Sequence, residues 1–272
     1  MIYNLPRAAK EKARVGAFLA PDPNATYTSG LTGLEASDVT AIANLISDCA
    51  DVTNETMAVY VDNGDIHRKI SVGDQVTLPL DGTNYAFDII GFNHDPLYRP
   101  TAYGVATKTG KAGMTLEMHD LFGTAYPMNS TNSASGGWLS SQMRSQTMPQ
   151  CKDKLPTDWQ QIIKQVNKEY TRASSSGINI ATTYAQCFLV SGAEVFGVST
   201  LVTQGEGIQY PYYKDDAAKD KMLNGVSTQR WTRSVRMSSG FGDARFLKIY
   251  GWGGTALADA NVNGYMAFAF CV

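Results

Sequence analysis

Three stretches of the chain repeat apolar residues at helical spacing. The first helix is predicted to follow a capping box of Thr32 and Glu35, and the second to run from Pro156–Thr157 to a serine–glycine stop at 174–177. A shorter helix is predicted from about Gly137 to Thr147, before Pro149. The inward positions in the three helices are Leu34, Ile42, Leu45, Ile46 and Cys49; Trp159, Ile162, Ile163, Val166 and Tyr170; and Trp138 and Met143.

Runs rich in β-branched and aromatic residues predict strands. These are Met57–Val61, Gln75–Leu80, Tyr85–Asn93, Ala185–Val190, Arg230–Val235, Phe246–Tyr250 and Tyr265–Val272. The turn signal at Asp62–Gly64 predicts a hairpin between the first of these strands and a partner at Ile66–Ile70. Helices and strands together predict a mixed α+β protein.

Three long segments have no periodic pattern, and they lie at about Val198–Gln229, Arg236–Arg245 and Gly251–Gly264. Irregular segments of this length inside a compact domain are commonly binding loops. The chain before residue 71 combines a basic arm, a helix and a hairpin. We therefore predict an attachment or oligomerisation region at 1–70 and one ligand-binding domain at 71–272. The basic residues of the arm are Arg7, Lys10, Lys12 and Arg14.

Composition and charge exclude several classes of protein. The chain has 272 residues, enough for a proper core, and its 25 Gly and 14 Tyr are typical of a loop-rich protein that contains β-structure. A net charge of −2 argues against a protein that coats nucleic acid. The apolar runs fall far short of the roughly 20 residues of a membrane-spanning helix. The apolar stretch Val15–Ala20 is too short for a secretion signal.

Candidate catalytic chemistry is sparse. The cysteines are single and form no CxxC pair, which predicts reduced, mostly buried thiols of a protein made in the cytosol. The histidines belong to no metal-binding pattern, and no nucleotide-binding or hydrolase motif occurs. We expect no catalytic residues and no cofactor. An irregular calcium site built from loop carboxylates is kept as an alternative. The residues concerned are Cys49, Cys151, Cys187 and Cys271, and His67, His94 and His119.

Aromatic residues are concentrated in the irregular segments. Tyr210-Pro-Tyr-Tyr213 places three tyrosines in one loop, and Trp252 lies among glycines in another. Tyrosine and tryptophan combine a large rigid surface with a polar tip, which suits recognition of proteins or sugars. The alternative is that the same rings fold back and cover the core. Candidate ligand-binding residues in these segments are Tyr210, Tyr212, Tyr213, Arg236, Phe241 and Trp252.

Arginines interrupt the predicted strand Arg230–Arg236, which reads RWTRSVR. In a strand, Arg233 shares one face with Trp231 and Val235, where an unpaired charge is costly. We therefore predict that Arg233 is a buried scaffold residue held by a carboxylate, with Glu194 as the leading partner. The opposite face is predicted to be polar and in contact with water, and its residues are Arg230, Thr232, Ser234 and Arg236.

A series of motifs resembles a bacterial and phage domain family of undefined function. In order, they are Val72–Val76, Tyr85–Ile90, Gly137–Arg144 with Leu155-Pro156, Cys187–Gly197, Trp231–Ser234 and Gly264–Phe270. The resemblance covers residues 71–272 and gives Trp138, Arg144 and Trp231 structural roles. That family looks similar to the C-type-lectin-like fold of formylglycine-generating enzymes and phage receptor-binding proteins. The fold implies small twisted sheets, flanking helices and a loop-rich face.

The resemblance implies binding rather than catalysis, since the chain lacks the closely spaced cysteine pair of the formylglycine enzymes. The first expectation is a phage virion protein of a tail fibre, tail tip or capsid. It would bind a host-surface glycan or protein, contact other virion proteins through residues 1–70 and form a homo-oligomer, for which a trimer is our guess. No nucleic-acid partner and no membrane insertion are expected. The alternatives are a purely structural decoration protein, a bacterial cell-surface adhesion module and, less favoured, an enzyme of the same fold.

Overall fold

The computed structural model describes residues 25–63, 66–98, 110–174, 177–237, 244–250 and 253–272. Helices and small, mostly antiparallel sheets are mixed in it, and the predicted α+β class is confirmed. The strands are β1 (Thr28–Ser29), β2 (Ala58–Asn63), β3 (Ile66–Ser71), β4 (Gln75–Leu80), β5 (Thr83–Phe92), β6 (Met114–Met118), β7 (Val166–Ser174), β8 (Gly177–Ala185), β9 (Cys187–Phe188), β10 (Met222–Leu223), β11 (Val226–Ser227), β12 (Arg230–Met237), β13 (Ala244–Ile249), β14 (Thr255–Ala258) and β15 (Ala269–Cys271).

Four α-helices join these strands in the described segments. They are α1 (Ala36–Asp48), α2 (Met148–Asp153), α3 (Thr157–Ile162) and α4 (Gly192–Phe196). The longest of them, α1, has 13 residues, and no helix there combines the length and apolarity needed to cross a membrane. The capping box of α1 lies three residues later than predicted, because Glu35 is the N-cap residue and Asp38 its partner.

A five-stranded antiparallel sheet forms the centre of the molecule, in the order β4-β5-β6-β15-β9. β4 has the predicted bounds. It alternates exposed with buried residues, as expected of an edge strand with one face exposed to solvent. β6 is buried along its whole length and pairs with β5 and with β15. The end of the chain therefore lies inside the sheet rather than at its margin.

Smaller sheets surround this one. The predicted hairpin is confirmed as β2–β3, to which β1 adds in parallel. The predicted strand of RWTRSVR is β12, and it forms a three-stranded sheet in the order β12-β13-β14. The register of β12 against β13 shifts between Trp231 and Val235. This bulge changes how the intervening side chains are distributed between the two faces.

The predicted helix that begins at Pro156–Thr157 is only partly correct. It ends at Ile162, and the rest of the segment forms β7, which pairs with β8 over nine residue pairs. Val166 and Tyr170 fit helical spacing, but with Lys168 they also fit strand alternation, and all three are buried. The presence of a complementary strand at 177–185 decides between the two patterns.

The predicted helix at Gly137–Thr147 is divided in the structure. Gly137–Ser140 forms a 3₁₀ turn, Met143–Thr147 a π-helical turn, and α2 follows without a break. Pro149 does not end this helical stretch, and it lies directly after the π-helical turn, in the first turn of α2.

One hydrophobic core extends from Leu31 in the N-terminal part of the chain to Val272. Helix α1 packs so closely beside β6 that a Cβ atom on Gly113 would lie 1.9 Å from the carbonyl oxygen of Ala43. This core includes residues from both sides of the boundary predicted at residue 70. The attachment role of residues 1–70 stays a prediction, and the basic arm at 7–14 lies outside the described residues.

Candidate functional site

Arg233 is fully buried and bound to the predicted carboxylate. Its Nη1 and Nη2 atoms donate to Oε2 and Oε1 of Glu194 at 2.5 and 2.8 Å, and further donations go to carbonyl oxygens. Glu194 is held in turn at the start of α4, where it forms a capping box with Ser191. The predicted ion pair is therefore present, and it joins β12 to α4.

A second cation extends this ion pair into a network. Lys168 of β7 is buried, and its Nζ lies 2.6 Å from Glu194 and 2.5 Å from Asp95. Asp95 also accepts hydrogen bonds from Tyr210 at 2.7 Å and Thr115 at 2.5 Å. We call the group Asp95, Lys168, Glu194 and Arg233 the Arg233 network. Its two cations and two carboxylates balance each other in charge.

Protonation in this network follows from burial and from the neighbouring charges. Burial alone would raise the pKa values of Asp95 and Glu194, but Lys168 lowers both, aided by His94 at Asp95 and led by Arg233 at Glu194. Both carboxyl groups therefore have lowered pKa values. Glu206 is different, since burial raises its pKa although its Oε1 accepts two hydrogen bonds from Thr171.

The face of β12 that was predicted to be in contact with water is mostly buried, so this prediction is wrong. Arg230, Thr232 and Ser234 are buried, and only Arg236 is partly exposed. Ser234 accepts a hydrogen bond from the first backbone N–H of α4, and Arg230 donates to the carbonyl of Lys219 at 2.6 Å. Strand alternation predicts two faces but not how many are covered, and here other segments cover both.

A second buried network surrounds Arg230. Lys221 lies 3.2 Å from the carboxylate of Glu117, which also accepts a hydrogen bond from Tyr213. Arg230 donates to the Tyr213 hydroxyl at 3.3 Å. Burial lowers the pKa of Lys221 in spite of Glu117. No feature of the sequence signalled this network, since its members come from distant segments.

The tyrosine-rich segment covers the core instead of standing out from it. Tyr210 and Tyr213 are fully buried, as in the alternative in which these rings fold back on the core. Tyr212 is partly buried and donates to Asp88 at 2.7 Å. Arg236 is bound to the carbonyl of Leu201 at 2.6 Å. The remaining two candidates, Phe241 and Trp252, lie outside the described residues.

The predicted structural residues are interior or fixed by contacts. Trp231 and Trp138 are fully buried. The Nη2 atom of Arg144 donates to Thr183 and to the carbonyl of Tyr184 at 3.1 and 2.9 Å. Arg144 thereby ties the π-helical turn to β8.

A polar cleft of about 420 Å³ lies beside β13, next to the predicted loops. It borders the ends of two irregular segments, at 227–229 and 263–265. Its walls carry hydroxyl, amide and phenol groups around one lysine, and we call it the Lys248 cleft. The lining residues are Ser227, Thr228, Gln229, Lys248, Tyr250, Asn263, Gly264 and Tyr265.

Lys248 is the unusual member of this cleft, because it is only 8% exposed yet has no carboxylate partner among the described residues. Its Nζ lies 4.1 Å from the centroid of the Trp231 ring and 3.4 Å from the carbonyl oxygen of Asn263. Burial lowers its pKa. A buried ammonium group without an anion retains capacity for an electron-rich ligand atom.

Gly264 makes this arrangement possible. A Cβ atom at that position would lie 2.7 Å from Lys248 Nζ and 2.6 Å from Trp231 Nε1. Sequence reasoning missed Lys248 because it assigned the residue to a strand. The available signal was a lysine between Leu247 and Ile249, two residues with fully apolar side chains.

Each of the three histidines lies beside a carboxylate, and the Nδ1 atom of His67 is 2.7 Å from Oδ1 of Asp62. His119 is half-exposed and its Nδ1 is 2.9 Å from Asp88, whereas His94 is buried, 3.4 Å from Asp95 and stacked on Tyr210. Neither lines the Lys248 cleft. In the described part of the chain, no three His, Cys, Asp or Glu side chains converge as a metal site would require. In the segments that the structure describes, none of the four cysteines forms a disulfide, and all but Cys49 are buried.

Comparison with known proteins gives one match. No curated protein sequence and no solved structure shows significant similarity to the chain. The model of a family described as a domain of unknown function, DUF6273, matches residues 112–268. That interval contains both Arg233 and Lys248 and is more than half of the 272 residues, so the chain belongs to this family.

Proposed function

We propose that the chain is a virion structural protein of a bacteriophage that presents a C-type-lectin-like domain to a receptor on the host surface. The virion assignment follows from the motif resemblance. Small antiparallel sheets with flanking helices agree with the proposed fold. Residues 1–70 would contribute contacts with other virion proteins, and a homotrimer would place several copies of the binding site on one particle.

The observation that carries the binding function is the Lys248 cleft. Saccharides offer many hydroxyl groups and few charges, and the cleft offers matching donors and acceptors from amide, hydroxyl and phenol groups. Lys248 adds a donor whose hydrogen bonds are not used by a carboxylate. We therefore propose a surface glycan of the host as the ligand, rather than a protein.

Binding of the purified full-length chain to an array of bacterial surface glycans tests this proposal. We expect binding to a subset of glycans. Lys248→Met should abolish this binding, and Gln229→Ala should weaken it. Lys69→Met provides a matched control, since Lys69 is exposed and lies outside the cleft. A chain that is monomeric, binds no glycan and does not co-sediment with particles or cells would refute the proposal.

The burial of Tyr210 and Tyr213 favours a second candidate function, a decoration protein that stabilises a capsid or tail without a receptor. Tyrosines that cover the core strengthen the fold and leave no ring surface for a ligand. Both proteins should remain on particles when Lys248→Met is introduced, so sedimentation with bare cells distinguishes the two functions: a receptor-binding protein binds the cells and a decoration protein does not. A secreted adhesion module would show the reverse, binding to cells without particles.

An enzyme of this fold stays the least favoured alternative. The pair of His119 and Asp88 has the geometry of an oriented base, with Nδ1 toward the carboxylate. It does not line the Lys248 cleft, where the proposed ligand binds.

A further inference from the structure

A second cleft, of about 450 Å³, lies between the helical stretch 143–153 and the end of β8. It shares no lining residue with the Lys248 cleft. Its helical wall contains the π-helical turn Met143–Thr147, and π-helical turns frequently occur at functional sites. We call it the Arg144 cleft. Its lining residues are Arg144, Ser145, Met148, Pro149, Lys152, Asp153, Gln165, Tyr184, Ala185, Gln186 and Cys187.

Two cations of the Arg144 cleft lack carboxylate partners among the described residues. Arg144 is held by Thr183 and Tyr184 through Nη2 alone, and Lys152 donates to the side-chain oxygen of Gln186 at 3.0 Å. Several other lysines of the described segments are paired with acids, for instance Lys154 with Asp81. The lining includes one carboxylate, Asp153, which is exposed and forms no ion pair with either cation. The cleft therefore carries a local positive charge on a protein whose net charge is −2.

The spacing of these cations favours an extended ligand. Arg144 and Lys152 lie eight positions apart along the helical stretch, and their side chains donate to different partners, Tyr184 and Gln186. The two cations are thus placed one after the other along the cleft, where a chain with repeated negative groups can contact both. The charge pattern thus indicates a polyanion that lies along the cleft.

An aromatic ring lies beside the first cation. Tyr184 is 44% exposed, and the Arg144 guanidinium carbon lies 5.6 Å from its ring centroid. Tyr98 packs against the same ring at 4.5 Å between centroids and fixes its position. An exposed, immobilised tyrosine ring offers an apolar surface to the C–H groups of a sugar ring. Gln165 and Gln186 add amide groups that can bind sugar hydroxyls.

We propose that the Arg144 cleft binds a carboxylate-bearing polysaccharide. Arg144 and Lys152 contact successive carboxylate groups, and Tyr184 packs against a sugar ring between them. The two clefts share no residues, so this proposal does not depend on the receptor function proposed for the Lys248 cleft.

Titration of the full-length chain with alginate oligosaccharides tests the proposal. We expect saturable binding that weakens with added salt, and no binding of neutral dextran. Lys152→Gln should raise the dissociation constant about tenfold, the usual consequence of losing a hydrogen bond to a charged group. Arg144→Gln should do the same, but it also removes contacts with β8, so Lys152→Gln is the decisive variant.

Lys69→Gln is the charge-matched control, since Lys69 is exposed and lines neither cleft. Retention of alginate affinity in this control, with its loss in Lys152→Gln, would support the proposal. An absence of alginate binding, or equal weakening by both variants, would overturn it. Binding of poly-glutamate as tightly as alginate would assign the cleft to acidic peptides and overturn the saccharide class.

Discussion

Arg233 lies in a strand between apolar neighbours, and the chemistry of its side chain admits few environments there. A guanidinium between Trp231 and Val235 requires a buried partner, and this requirement led to Glu194, which the structure contains. The rest of the Arg233 network was not predictable in this way. Asp95 and Lys168 are 73 positions apart in the chain, and neither stands in a pattern that demands the other. Only the fold brings them together.

The Arg233 network yields a stability prediction. Arg233→Met should lower the free energy of unfolding by about 3–5 kcal/mol, because it leaves the buried carboxylate of Glu194 with half of its compensating charge. Urea unfolding followed by circular dichroism measures this loss. Arg236→Met on the same strand is the control, and we expect a change within about 0.5 kcal/mol because Arg236 is partly exposed. Equal losses in the two variants would contradict the proposed role of the network.

Lys248 yields a second stability prediction, in which the loss of a buried charge is expected to cost little. Lys248→Met removes a buried charge but also a contact with the Trp231 ring, so we expect stability at pH 7 to change by less than about 1 kcal/mol. Because burial lowers the pKa of Lys248, the wild type should gain stability relative to the variant as the pH rises toward 10.5. Urea unfolding at pH 7 and pH 10 measures both effects. A relative loss at pH 10 would contradict the burial of an unpaired ammonium group.

Among the secondary-structure elements, those whose sequence pattern fits only a helix or only a strand were predicted correctly. The bounds of β4 and the hairpin β2–β3 are correct because alternation and turn signals agree. The segment after Ile162 satisfies both helical and strand spacing, and pairing with β8 decides it. β6 was missed although its sequence, MTLEM, alternates apolar with polar residues, because a run of only five residues is a weak signal.

The contact between α1 and β6 gives a prediction about packing. Gly113→Ala should destabilise the protein by more than about 2 kcal/mol, because its Cβ would lie 1.9 Å from the backbone oxygen of Ala43 and force the helix away. Gly123→Ala is a matched control, since its Cβ would meet its nearest neighbour, the Tyr85 hydroxyl, at an ordinary 3.5 Å. Thermal unfolding of the two variants measures the difference. A harmless Gly113→Ala would show that α1 packs less closely than described.

For the whole molecule, the order of the motifs along the chain said more about the protein family than local hydrophobic patterns did. The motifs between residues 71 and 272 predicted a domain family of undefined function, and the match at 112–268 confirms it. The candidate site was harder to predict. The Lys248 cleft borders two of the irregular segments, but the named tyrosines face inward, and the groups that line the cleft come from strand ends. Which side of a loop faces solvent depends on tertiary packing that no local pattern contains.

Buried charges shared between distant segments predict how the whole fold responds to acid. The pKa values of Asp95 and Glu194 are lowered in the folded protein, so their contribution to stability is present above the unfolded pKa of about 4 and is lost as the pH falls through the lower folded values. Glu206 has the opposite sign. Its raised pKa gives a contribution that is present below about 4.5 and is lost as the pH rises through its folded value.

Urea unfolding from pH 2 to pH 8 separates these two contributions. The wild type should lose stability steeply below about pH 4, because the salt bridges that join β7, β12 and α4 are lost together. The Glu206→Gln variant should still lose stability below about pH 4. Between pH 5 and pH 8 its stability should fall less than that of the wild type, since the amide keeps an acceptor for Thr171 and cannot ionise. A flat acid limb in the wild type would mean that the Arg233 network does not hold the fold together. A steeper decline above pH 5 in Glu206→Gln would mean that the Glu206 carboxylate is stabilising when charged, contrary to its burial.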